Sequence, residues 1–227
     1  MPTEMIAFGP VPSRRLGQSL GINIIPPKSC SYSCVYCQVG RTPATKIDLV
    51  EFYAPEAVAS AVTARVLEIQ QRGEPLDFLT FVADGEPTLD VHLGREIELL
   101  RPLGVPIAVI SNASLLWREG VRESLRRADW VSLKVDAVRE EEWRRINQPH
   151  QSLRRGDVLQ GMLDFTTTFD GTLVSETILI AGVNDSEESI ADTAAFLEKL
   201  QPSTAYLGIP TRPPAERWVG PASERAV

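Results

Sequence analysis

The chain has 227 residues, enough for one moderately large domain with short appendages, and 43% hydrophobic with 23% charged residues excludes a disordered chain, a collagen-like repeat or a disulfide scaffold. No run of 18 apolar residues occurs and the opening MPTEMIAFGPVPSRR lacks the apolar core of a signal peptide, so the expectation is a cytoplasmic protein with no membrane partner. A net charge of −7 works against broad contact with a phosphate backbone, so nucleic acid is not the favoured partner, although a sum over the chain leaves room for a local basic patch.

Hydrophobic period and punctuation predict the elements in turn. Leu20 to Ile25 is a short apolar run closed by two prolines, hence a strand, and a cysteine-containing loop follows it. Pro55 to Arg72 carries Val58, Val62, Val66 and Ile69 at helical spacing, with proline suited to the first turn and Gly73 to the stop. Leu76 to Ala83 reads as a strand covered on both faces. A helix over His92–Leu103, a strand over Pro106–Ile110, a helix over Leu115–Arg127 and a strand over Trp130–Val135 continue the pattern. In that last strand Ser132, Lys134 and Asp136 alternate with Val131, Leu133 and Val135. Helices over Glu140–Ile146 and Ser152–Thr168, a strand over Thr172–Ile180, a helix capped by Ser186 and a strand over Thr204–Ile209 complete it.

Six strands separated by helices call for a parallel sheet with right-handed crossovers. An eight-unit closed barrel needs about 250 residues. The α/β fold expected is therefore a partial (β/α)6, TIM-like barrel, with a doubly wound open sheet as the competitor. The expected division is 1–19 as an N-terminal extension over the barrel, 20–212 as the barrel and 213–227 as a C-terminal tail.

All three cysteines, Cys30, Cys34 and Cys37, fall within eight residues as CxxxCxxC in the loop after the first strand. An odd, clustered set in a reducing compartment points to metal binding rather than disulfides. Three thiolates can hold three irons of a [4Fe-4S] cube and leave the fourth open, whereas structural zinc sites and full-cysteine clusters use four ligands. Zinc completed by His92 or His150, or unrelated free thiols, are the other readings.

This array resembles the hallmark of the radical S-adenosylmethionine (SAM) superfamily. The resemblance implies a [4Fe-4S] cluster held by the three cysteines, SAM chelated at the open iron, and reductive cleavage to a 5′-deoxyadenosyl radical that abstracts hydrogen from a substrate. It implies an external donor of the flavodoxin or ferredoxin type, and it places Tyr36 near the adenine. ADGEP after the second strand is similar to the superfamily's GGEP motif, with Asp84 in place of the first glycine, which implies that Gly85, Glu86 and Pro87 line the methionine of SAM. Ser111 and Asn112 sit where related enzymes place polar groups near SAM; a helix N-cap at Asn112 or Ser114 is the equal alternative. Ser132, Lys134 and Asp136 share one face, and charges there must either satisfy each other or meet a ligand. The resemblance assigns SAM's carboxylate to Lys134 and ribose or substrate contact to Asp136, an outward-facing edge strand being the alternative. Glu176 has the same ambiguity. Gly182, beside Asn184, and Ile209 match segments near the adenine.

GPVPSRRLGQSLGIN, KVDAVREEEWRRINQPH and IPTRPPAE look like the Fe-S oxidoreductase group related to the tRNA wybutosine-synthesising enzymes. Arg14 and Arg15, next to Ser13, and Arg212 are expected substrate contacts, since arginine binds carboxylate or phosphate through paired donors; a solvated surface role is the alternative. Wybutosine enzymes carry a second cluster on additional cysteines, which this sequence lacks, so a different reaction is expected, with tRNA modification or a non-catalytic iron-sulfur or zinc scaffold as alternatives. Members of that group usually continue past TRPPAE, so either the sequence is a piece lacking the segment that covers substrate or another subunit closes the barrel mouth.

Overall fold

A computed structural model describes residues 6–223. Seven strands form one sheet in sequence order: β1 (Ala7–Ser13), β2 (Gly17–Ile22), β3 (Phe78–Phe81), β4 (Ile107–Ser111), β5 (Trp130–Lys134), β6 (Thr172–Ile178) and β7 (Thr204–Gly208). Pairs from β2 to β7 are parallel, whereas β1 pairs antiparallel with β2. Connecting them are α1 (Pro55–Gln71), α2 (Leu93–Leu100), α3 (Glu119–Leu125), α4 (Glu140–Asn147), α5 (Arg155–Thr166) and α6 (Glu187–Leu200). A doubly wound sheet reverses its strand order part-way. This order never reverses, so right-handed crossovers put every helix on one face and the sheet curls into an open, partial barrel.

Two corrections to the sequence reading follow. The sheet has seven strands rather than six, because part of the segment expected to lie over the barrel is β1, one arm of a hairpin at the sheet edge. The first parallel strand spans Gly17–Ile22, three residues earlier than expected, and Asn23 to Ile25 already belong to the cysteine loop. Residues 1–5 of the expected extension and 224–227 of the expected tail lie outside the described residues.

The main core lies between sheet and helices. Val58, Val62, Val66 and Ile69 of α1 are fully buried there, each worth roughly 1.5–3 kcal/mol of apolar burial, alongside Leu79, Phe81, Val109, Val131 and Leu133. A separate small cluster of Leu16, Ala108, Trp130 and Val174, flanked by Phe78, Ile110 and Tyr206, fills the inside of the barrel toward the strand N-termini. The strand C-termini are left for polar groups, the end where ligands gather in open α/β sheets. Among the described residues no helix is long and apolar enough to cross a membrane.

Candidate functional site

The cysteine loop leaves the C-terminal end of β2 and is clamped from two sides. On one side it meets the turn after β3: Lys28 N donates to Asp84 O at 2.9 Å and Glu86 N to Ser29 O at 3.0 Å. Gly85 permits this approach, since a Cβ there would lie 2.0 Å from Ser29 O. On the other side the loop meets the C-terminal end of α4, with Ser33 N donating to Asn147 O at 3.0 Å, Val35 N to Ile146 O at 2.9 Å and His150 N to Ser31 O at 2.9 Å. All three cysteines are half-buried and free of disulfides.

Each sulfur meets a nitrogen donor. Asn112 Nδ2 lies 3.4 Å from Cys30 Sγ, Asn147 Nδ2 lies 3.5 Å from Cys34 Sγ, and Lys28 Nζ, whose nearer partner is Gly40 O, lies 3.9 Å from Cys37 Sγ. Burial, with the nearby Glu86 charge, pushes the Cys30 thiol up to about 12, and burial with Asp136 pushes Cys34 higher still. Such thiols become thiolates when a metal cation takes the place of the proton.

Glu86 is almost wholly buried and accepts from Thr88 N at 3.1 Å, Thr88 Oγ1 at 2.7 Å, Ser111 Oγ at 2.8 Å and Asn112 N at 2.7 Å. Burial raises its pKa against these donors. It braces the turn after β3 to the end of β4, and buried Pro87 starts a single 3₁₀ turn behind it. Asn112 also donates to Ser31 Oγ at 2.9 Å, and its Oδ1 accepts from Ser114 N at 3.0 Å. That local cap is not a helix N-cap: residues 114–117 form turns and α3 starts only at Glu119.

Lys134 and Asp136 do not satisfy each other. Asp136 accepts from Asn147 Nδ2 at 2.8 Å, from Ile178 N at 3.0 Å and from the Tyr36 hydroxyl, so its carboxylate is engaged by protein donors. Asn184 joins the same corner, donating to Asp136 O at 2.7 Å. Lys134 instead pairs with Glu176 at 2.8 Å, its register partner on β6, and sits 5.0 Å from the Tyr36 ring centre. Arg15 reaches the same carboxylate from the β1–β2 hairpin and stacks over Tyr206 at 4.3 Å. Burial alone would raise the Glu176 pKa; Lys134 and Arg15 together hold it below the usual carboxylate range. Two cations thus share one carboxylate, leaving one surplus positive charge.

Ser132 lies between Trp130 and Lys134 on the inner face, is fully buried, and its hydroxyl has no partner. Gly182 is exposed with φ of +67°, and Ile209 is half-buried just after β7. Arg212 reaches over the loop to Gln38, beside Cys37. Arg14 is exposed and no contact brings it to these groups. Sequence reasoning missed Asn147, Lys28 and the joint hold of Lys134 and Arg15 on Glu176; the INQPH string marks only the end of a helix, and nothing local ties it to a cysteine 113 residues away.

The sequence pattern that matches this chain is that of the radical SAM superfamily, over residues 24–194. The chain belongs to the radical SAM superfamily. A UPF0026 protein of Methanocaldococcus jannaschii is 52% identical over 216 residues, covering 95% of this chain and 67% of that protein. Among solved structures, TYW1 with a lysine-pyruvate adduct bound superposes with TM-score 0.64 at 18% identity, covering 84% of this chain and 64% of that one. A radical SAM methyltransferase from Sphaerobacter thermophilus gives TM-score 0.63 at 15% identity, covering 92% of this chain and 61% of that one. The chain thus spans about two thirds of the length of these proteins, and the structural likenesses show the partial-barrel fold.

Radical SAM proteins are enzymes that bind a [4Fe-4S] cluster and SAM and need a reductant and a substrate. The residues fit those groups. Three thiols on one loop, each facing a nitrogen donor, suit three irons of a cube, and the orphaned Ser132 hydroxyl on the inner face marks a place for a polar ligand. The zinc reading is not supported: among the described residues no three His, Cys, Asp or Glu side chains converge to hold one ion, whereas a cube offers a separate iron to each sulfur. His92 instead lies 3.2 Å from Glu51, and His150 accepts from Ser152 N through Nδ1 at 3.2 Å.

Proposed function

We propose that Cys30, Cys34 and Cys37 hold a [4Fe-4S] cluster with one open iron and that the chain is a radical SAM enzyme acting by hydrogen abstraction. Bound there, cluster and SAM would supply reductive cleavage of the sulfonium to a 5′-deoxyadenosyl radical. The observation that carries this reading is the placement of three sulfurs on one braced loop at the C-terminal mouth of a partial barrel.

The protein's part is to bind, orient and exclude water. Gly85, Glu86, Pro87, Ser111 and Asn112 form the wall on the β3–β4 side. Glu86 keeps one oxygen, Oε2, with a single protein donor, from Asn112 N, and so has acceptor capacity for an ammonium group. Ser132 and Lys134 face the lumen from β5, where the surplus positive charge suits the carboxylate of SAM. Tyr36, Gly182 and Ile209 ring the mouth as the proposed adenine surroundings. Asp136 serves by holding Tyr36 and Asn147 in place. Arg15 and Arg212 are the cations proposed to meet a substrate with a carboxylate or phosphate group, and a flavodoxin or ferredoxin is the proposed donor.

Protein reconstituted anaerobically with iron and sulfide, then given SAM and dithionite, should release 5′-deoxyadenosine. Fully loaded protein that releases none would overturn the proposal.

A further inference from the structure

Asn112 and Asn147 come from different elements, the end of β4 and the end of α4, yet both aim an amide nitrogen at a cysteine sulfur, at 3.4 and 3.5 Å. Their orientations are fixed by groups that cannot reverse roles. The second N–H of Asn147 is taken by the Asp136 carboxylate at 2.8 Å, and a carboxylate only accepts; turning the amide over would set oxygen against oxygen. Asn112 Oδ1 accepts from Ser114 N at 3.0 Å, so turning that amide would set donor against donor. Both nitrogens therefore point at sulfur as a consequence of their surroundings.

We infer that Asn112 and Asn147 are positioning residues that stabilise negative charge on the Cys30 and Cys34 sulfurs and thereby raise the reduction potential of the cluster. Reduction adds an electron, much of whose charge reaches the sulfurs, and an N–H donor favours the more negative state. Amide donors do this without titrating, so the effect is the same across the working pH range. The inference rests on the cluster reading above.

The test is an EPR-monitored redox titration of anaerobically reconstituted wild type, Asn147→Leu and Asn112→Ala, with iron and sulfide content measured on each. With iron content matching wild type, each variant should show about a tenfold lower ratio of reduced to oxidised cluster at a given potential, which is ~59 mV for one electron. Unchanged titration curves in both loaded variants would overturn the inference and leave the cluster reading standing. Loss of the cluster from both variants would overturn it too, since the amides would then be holding the loop and not tuning the sulfurs. A wild-type protein that assembles no [4Fe-4S] signal would defeat the cluster reading itself.

Discussion

The two ends of the barrel are built from opposite materials. At the floor, Leu16, Ala108, Trp130 and Val174 pack an apolar plug with Phe78, Ile110 and Tyr206 around it. At the mouth, Glu86, Asn112, Asp136, Asn147 and Asn184 form a hydrogen-bonded frame around the cysteine loop. Between them lies a thin layer of charge, Arg15, Glu176 and Lys134. The contrast separates stability from chemistry: the floor holds the strands together by area, and the mouth holds a loop in position by directional bonds to partners that are themselves buried.

The largest effect should come from the mouth. Cys34→Ser removes one proposed iron ligand, so bound iron should fall to background and 5′-deoxyadenosine formation should vanish while the thermal unfolding midpoint of the apoprotein hardly moves. A large drop in that midpoint would mean the loop is part of the core. Trp130→Ala at the floor should do the reverse, destabilising by about 3–5 kcal/mol in urea unfolding while iron bound per folded molecule stays the same.

A third change lies in neither end. Glu96 of α2 is fully buried with both carboxylate oxygens unpartnered, and burial, with a smaller push from Asp90, raises its pKa to about 8. Its folded pKa exceeds the unfolded value, so stability from this group is complete below about pH 4.5 and is lost as pH rises toward 8. Glu96→Gln cannot titrate, and its stability relative to wild type should grow by on the order of 4 kcal/mol between pH 4 and pH 8. Parallel pH profiles would show that Glu96 has a partner after all. The smallest effect expected is from Gly85→Ala, where the new methyl meets Ser29 O and pushes the β3 turn off the cysteine loop, costing roughly 1–3 kcal/mol. Faster iron loss to a chelator is the readout that ties this cost to the mouth.

Much of the fold was legible because the parallel strands are short apolar runs and the helices bury one face. β1 was not, because AFGPVPS has two prolines and no clean alternation; as an edge strand it needs neither a full set of N–H donors nor two buried faces. At the site, the cysteines and the alternation in β5 could be read directly. What could not be read was pairing: Lys134 meets Glu176 because β5 and β6 are in register, and Arg15 turns inward because the hairpin directs it there. Asn147 was invisible for the same reason, its partner being set by where α4 ends in space. Residue type announced the chemistry, and topology chose the neighbours.

The most direct measurement is Mössbauer spectroscopy of the iron-57 reconstituted protein with and without SAM. A [4Fe-4S] cluster in which one iron of four changes its parameters on SAM addition is the result expected of three cysteine ligands and an open position. Four irons that ignore SAM, or a protein that takes up zinc in place of a cluster, would contradict it.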